Sequence, residues 1–285
     1  MNTSLEYLPC FVRQGLEAVG FVSGDAAFQE RVLRALLVDL SAIDLSQPPP
    51  VIAQQVHRRL RELTGVADPY SEIKTRQNAA ALSVLPRMRD YLRSSADPQL
   101  TGVRLAIAGN AIDSGVSACL LPEEIPSAIE SALAEPLAGE IEHFRAVIQR
   151  ARRILYLADN AGEIAFDRLL IELLPAGVVT VAVRGHAVLN DALRADAVAV
   201  GLADLVEIID NGSDAPGTLL NDCSAEFVRS FCAADLVIAK GQGNYETLSQ
   251  VDAPVTFLLK AKCPVIAKDL RAPVGSHVLW MPNRE

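Results

Sequence analysis

The stretch LYLADNAGEIAFDRLL, residues 155–170, passes from an apolar run into an amphipathic one. At the joint stand an acid, an amide, a glycine and a second acid. Read as a strand feeding a helix, it places Asp159, Asn160 and Glu163 at the strand's C-terminal end. A turn that only reversed the chain could be built from glycine and serine. Carboxylates beside an amide oxygen are instead the donors a hard or borderline cation such as magnesium or manganese takes. Later junctions carry similar chemistry: Arg184-Gly185-His186 with Asn190-Asp191, then Asp210-Asn211-Gly212-Ser213-Asp214. Lys240-Gly241-Gln242-Gly243-Asn244-Tyr245-Glu246 and the group Lys260, Lys262 and Cys263 complete the set.

These junctions follow apolar runs at 154–157, 178–183, 205–209, 235–239 and 255–259, with a shorter one at 278–281. Helical patterns of roughly ten to fifteen residues separate the first four, as in crossover units. Continuous apolar strands alternating with helices predict a mostly parallel, doubly wound sheet covered on both faces, a three-layer α/β/α unit over 151–285. In such a sheet, ligands bind beyond the strands' C-terminal ends, where helix N-termini also point. Five polar junctions on that one edge mark a site. Residues 1–150 read as a helical subdomain, with helices over 9–22 and 25–42, a third ending near Leu63, and a long one from after Pro69 to about Arg93. Two more fill 122–151, and period alone does not assign the apolar run 103–110.

Composition narrows the chemistry. The chain has 285 residues, 50% hydrophobic and 5% aromatic, with a net charge of −9. That charge argues against a nucleic-acid surface, and an acidic protein handling an anion must gather positive charge locally. Five scattered cysteines form no CxxC pair, which suggests reduced thiols. No basic-then-apolar leader and no uninterrupted apolar stretch of membrane length is apparent, so a cytoplasmic protein with no membrane partner is expected.

Bland readings compete at single positions. Asp159 or Asn190 alone would read as a helix cap, Gly241 and Gly243 as a tight turn, and His186 as structural. The first strand lacks a glycine-rich phosphate loop and GQGN is not GxGxxG, which argues against a dinucleotide enzyme. Neither His nor Cys clusters as a zinc site requires.

LADNAGEIAFDRLLIELL, NDAL, AKGQGNYETL and LLKAKCPV resemble the damage-control phosphatase family, once catalogued as a domain of unknown function. In the N-terminal half, DPYSEIKTRQN (68–78) and AIAGNAID (106–113) are similar to the family's helical-region signatures. The likeness is nearest to the prokaryotic branch, through Lys262-Cys263 and Asn244-Tyr245-Glu246. That branch carries a CxxC near its N-terminus; here Cys10 is present but Tyr7 stands in the other place.

The resemblance implies a helical subdomain beside an α/β/α domain, and metal-dependent hydrolysis of small phosphorylated metabolites. By position, Asp159, Asn160 and Asp191 match the metal ligands, for manganese, nickel, cobalt or magnesium. The Lys240–Asn244 loop matches the phosphate-binding segment. On this reading Asp159, Asp191 and Lys240 are catalytic, with Lys240 neutralising a phosphate oxygen and backbone N–H groups through Gly241 and Gly243 taking others. Glu163, Asn190, Gln242, Asn244 and Lys262, with Asn110 and Asp113 from the helical half, are expected around the substrate. The nucleophile is open between a metal-activated water and an aspartate. Two other functions fit the same edge: an S-adenosylmethionine-dependent carboxyl methyltransferase, as proposed for a eukaryotic relative, and a non-catalytic phosphometabolite-binding protein.

Overall fold

The structure, a computed structural model, describes residues 1–109 and 125–282. Ile154–Leu157 forms an interior strand, β2, and its side chains alternate between two cores. Ile154 and Tyr156 join the apolar cluster on one face of the sheet, Leu155 and Leu157 the cluster on the other. This is the period-two alternation of a strand buried on both sides.

Among the described residues seven strands make one sheet: β1 (Leu137–Ala138), β2, β3 (Val179–Val183), β4 (Glu207–Asp210), β5 (Leu236–Lys240), β6 (Val255–Lys260) and β7 (His277–Trp280). Their order is β1-β7-β6-β5-β2-β3-β4, parallel throughout except that β6 and β7 pair antiparallel. From β2 the chain winds outward through β3 to β4, then returns to β5 on the other side of β2. The winding direction therefore reverses between β2 and β5, and a crevice opens beyond the C-terminal ends of those two strands. The turn beginning at Asp159 and the helix that starts at Gly241 face each other across it.

The helices before the sheet are α1 (Leu8–Val22), α2 (Ala26–Leu40), α3 (Pro49–Thr64), α4 (Ser71–Ser94), α5 (Pro98–Ala108) and α6 (Ile125–Ala134). Between and after the strands lie α7 (Ile141–Arg150), α8 (Glu163–Ile171), α9 (Arg194–Ala199), α10 (Ala225–Ala233), α11 (Gly241–Leu248) and α12 (Pro264–Asp269). Pro49 opens α3 at a position where a missing N–H costs no helix bond, and Gly65, at φ +71°, closes it in the left-handed region. The apolar run 103–110 falls largely in α5, which Asp97 caps by accepting from Leu100 N–H. It carries no clear period because α5 is buried nearly all round, against α4 and α8.

Helices α4, α5 and α8 share the apolar cluster on one face of the sheet, whereas α1, α2 and α3 build a core of their own from residues such as Phe11, Leu36 and Leu60. That second core is fastened over the sheet's C-terminal edge by charge. Arg58 and Arg61 on α3 both pair with Asp214, in the loop after β4, and Gln54 donates to the same carboxylate. Among the described residues no helix is long and apolar enough to cross a membrane.

Candidate active site

The turn after β2 is held by backbone before any side chain acts. Ala192 N–H donates to the Asp159 carbonyl at 2.8 Å, and Ala161 N–H to the Asn190 carbonyl at 2.9 Å. These bonds bridge Asn160 to Asp191 in antiparallel fashion, so the three expected cation ligands share one short piece of backbone scaffold. A helix cap was the bland reading of Asn190, but neither Asn190 nor Asp191 starts a helix. They lie instead in a turn, with Leu189 at φ +47°, and α9 begins only at Arg194. The bridge to Asn160 holds the chain extended there and delays the helix.

From below, α4 braces the turn. Gly162, at φ +75°, packs on Gln77 and donates its N–H to Asn78 Oδ1 at 2.8 Å. Asn190 Nδ2 donates to Gln77 Oε1 at 3.3 Å. The Gln77-Asn78 pair of the KTRQN stretch thus acts through the backbone turn that carries the acids.

Charge at the site is lopsided. Arg184, at the end of β3 and buried, donates from Nε to Asp191 Oδ2 at 2.6 Å, and its Nη2 lies 3.8 Å from Asp159 Oδ1. Asn160 gives its amide N–H groups to Asp159 Oδ2 and Glu163 Oε2, at 3.1 and 3.2 Å. Its Oδ1 is then the remaining polar atom, an acceptor of the kind a cation takes. Burial holds the Asp159 carboxyl well above the usual carboxylate range; Glu163 and Asp191 push it the same way, against the pull of Arg184 and Lys262. Two close carboxylates share one arginine, so negative charge exceeds what that arginine answers. The donor set, two carboxylates and an amide oxygen, fits a divalent cation. Among the described residues no three His, Cys, Asp or Glu side chains converge as a ligand set, so the amide and non-protein ligands would have to complete the coordination.

Lys240 stands elsewhere than the sequence suggested. Its ammonium is fully buried and donates to Glu163 Oε1 at 2.5 Å, Asp167 Oδ1 at 2.7 Å and the Ala106 carbonyl at 2.7 Å. Those three bonds use its whole donor capacity. Burial alone would lower its pKa, but Asp167 and Glu163 outweigh it and the ammonium is held charged. The same burial raises the Asp167 carboxyl to about 6 although Lys240 pulls it down. Asp167, which also accepts from Tyr156 Oη at 2.8 Å, has no counterpart in the sequence reading. An aspartate inside IAFDRLL, four residues after Glu163, was the available signal, because a carboxylate on an apolar helix face requires a partner.

The cleft over this edge encloses about 550 Å³. Asp159, Asn160, Asn190, Asp191, Gly241, Gln242, Gly243 and Lys262 all line it. Glu163, Lys240 and Asn244 form the layer beneath; Asn244 Nδ2 donates to the Lys240 and Ala158 carbonyls, tying β5 to β2. Asn110 and Asp113 lie outside the described residues. The two glycines have packing reasons for their place. A Cβ on Gly241, whose φ is +78°, would come within 1.8 Å of Asp159 Oδ2, and one on Gly243 within 2.1 Å of the Pro216 carbonyl oxygen. The opposite wall was not foreseen: Tyr7, in the 3-10 turn just before α1, and Cys10, Phe11 and Gln14 of α1 form it, with Pro49 and Pro50 from α3.

Known proteins share this architecture. The damage-control phosphatase ARMT1-like domain matches residues 3–278. The damage-control phosphatase PH1575 of Pyrococcus horikoshii is 33% identical over 98% of this chain and 97% of its own length. A damage-control phosphatase of Archaeoglobus fulgidus is 36% identical over 80% of each chain. The uncharacterized protein MJ0202 of Methanocaldococcus jannaschii is 34% identical over 95% of this chain and 92% of its own. The crystal structure of the P. horikoshii protein, described as a DUF89 family protein, superposes with a TM-score of 0.91 at 31% identity, covering 99% of this chain and all of that one.

Proposed function

The chain belongs to the damage-control phosphatase ARMT1-like family, and we propose that it is a phosphatase of small phosphorylated metabolites, hydrolysing phosphomonoesters with the help of a divalent cation. The observation that carries this reading is the approach of Gly241 to the Asp159 carboxylate across the β2/β5 crevice. It sets an acidic cluster against the first turn of α11, whose N–H groups lack partners within the helix. A phosphate dianion suits the helix end, and a cation suits the carboxylates.

Asp159, Asn160 and Asp191 would hold the cation. When bound, it would supply Lewis-acid polarisation of a phosphoryl oxygen and counter-charge. Arg184 fixes the orientation of Asp191 and offsets part of the negative charge. N–H groups of Gln242 and Gly243 bind phosphoryl oxygens, and Lys262 on the cleft wall adds positive charge. Lys240 is a positioning residue: it anchors Glu163, which in turn accepts from Asn160. Helices α1 and α3 wall the cleft on its far side. Phosphoryl transfer depends chiefly on positioning and charge stabilisation, which this inventory provides.

The test is phosphate release from an aryl phosphate and a panel of phosphomonoesters. Each is assayed after exhaustive chelation and after return of manganese, cobalt, nickel or magnesium. Turnover that vanishes on chelation and returns with one of these metals is the expected result. Full turnover with metal content verified as nil would remove the cation from the mechanism, and no turnover on any ester would sink the phosphatase.

A further inference from the structure

The cleft has a second polar end that binding of phosphate leaves unused. Glu246 lies about 7 Å further along the α11 axis than Gly241, at a rise of ~1.5 Å per residue. It is 5% exposed and lines the cleft. Both hydrogen bonds to its carboxylate fall on one oxygen: Tyr7 Oη and Gln242 Nε2 each donate to Oε1 at 2.7 Å. Among the described residues Oε2 accepts none, yet it is not sealed away as a buried orphan atom, so it opens on the cleft. No lysine or arginine among the described residues pairs with it, and the positive charge that pulls on it is the Met1 ammonium, which donates to the Glu246 backbone carbonyl at 3.3 Å.

Such an arrangement leaves one carboxylate oxygen for the cleft. With no protein donor on it, Oε2 can take a charge-assisted hydrogen bond from whatever occupies that space. Tyr7 comes from the helical roof and Gln242 from the α11 turn, so two separate elements converge to aim one carboxylate. Phe11, Pro49 and Val265 supply apolar wall around the same space, suited to a short carbon skeleton.

We infer that Glu246 is a specificity-determining residue whose Oε2 accepts a hydrogen bond from a hydroxyl or ammonium group on the organic part of a phosphoester seated at Asp159 and Gly241. The assignment rests on the phosphatase reading for the position of the phosphate. A site built around such a bond rejects the analogue lacking the donor, because the acceptor is then left unpaired. The substrate class is a small alkyl phosphate with a donor a few bonds from the phosphate, rather than a bare alkyl or aryl ester.

Propyl phosphate, glycerol phosphate and aminopropyl phosphate share a three-carbon chain and differ in donors. Affinity for each is measured by calorimetry with magnesium present, and turnover by phosphate release. The full chain is used, as wild type and as Glu246→Gln, Glu246→Leu and Tyr7→Phe. Wild type should favour at least one donor-bearing ester over propyl phosphate by about tenfold or more. Glu246→Leu should bring that ratio near one, Glu246→Gln should keep part of it, and Tyr7→Phe should keep most. A wild type that treats all three esters alike, or a ratio unchanged in a folded Glu246 variant, overturns the assignment. A preference seen in binding without turnover of any ester would sink the phosphatase reading and leave Glu246 in its role.

Discussion

The Lys240 ammonium lies 2.5 Å from Glu163 Oε1 and points into the protein, away from the cleft lined by the very next residue, Gly241. The consequence is structural before it is catalytic. Lys240→Met would leave Glu163 and Asp167 buried without their cation, a loss of about 3–5 kcal/mol for a broken buried pair. Urea unfolding should show that drop, and adding Asp167→Asn should recover part of it. An unchanged unfolding midpoint for Lys240→Met would mean the ammonium is not in this trio.

Asp159→Asn and Asp191→Asn each remove one formal charge at nearly constant shape. Both should weaken divalent-cation affinity measured by calorimetry, and both should lower turnover by about a hundredfold or more. Their effects on the metal-free protein should differ. Asp159 has like charges around it, so its amide variant should melt higher, whereas Asp191 is bonded to Arg184 and its variant should melt lower. Retained cation affinity in both variants would remove them from the ligand set.

Gly241→Ala tests the crevice. The added Cβ meets the Asp159 carboxylate, and φ +78° is strained for any side chain, costing about 1–2 kcal/mol. The variant should keep its fold and lose both cation affinity and turnover, since the carboxylate must move. Gly177→Ala, equally left-handed at φ +76° with nothing near its Cβ, is the control that carries strain without the clash.

Glu246 makes stability depend on pH. Its carboxyl, ordinarily at 4.5, is pushed up to about 7 mainly by burial, with Tyr7 and Gln242 pulling the other way. Between those values the folded chain holds the proton more tightly than the unfolded one, so this group's contribution falls as pH rises. Glu246→Gln has no such titration. Relative to wild type, its unfolding free energy should improve between pH 5 and pH 8, by at most about 3 kcal/mol. A difference that is flat over that range would contradict the burial of the charge.

The sequence by itself determined the parallel sheet and the edge that bears the site. Apolar runs such as ILYL and LVIA, recurring between helical patterns, read as strands covered on both faces, and parallel strands all bring their C-terminal ends to one edge. Asp159, Asp191 and Gly241 could therefore be assigned to that edge from their place after each run. Which way a side chain turns at the edge was decided by tertiary structure. Lys240 ends β5 in step with Leu236 and Ile238, on the face that α5 and α8 cover, so it meets Glu163 and Asp167 rather than the cleft. The period of two was visible in the sequence, but the helices owning that face were not, because they depend on strand order. The roof has the same origin: Tyr7 reaches Glu246 across 239 residues of chain, and Arg58 and Arg61 reach Asp214 across more than 150, contacts that only the packed fold brings together. Local pattern fixes what each segment becomes, whereas contacts between distant segments arise from packing, which no window of sequence contains.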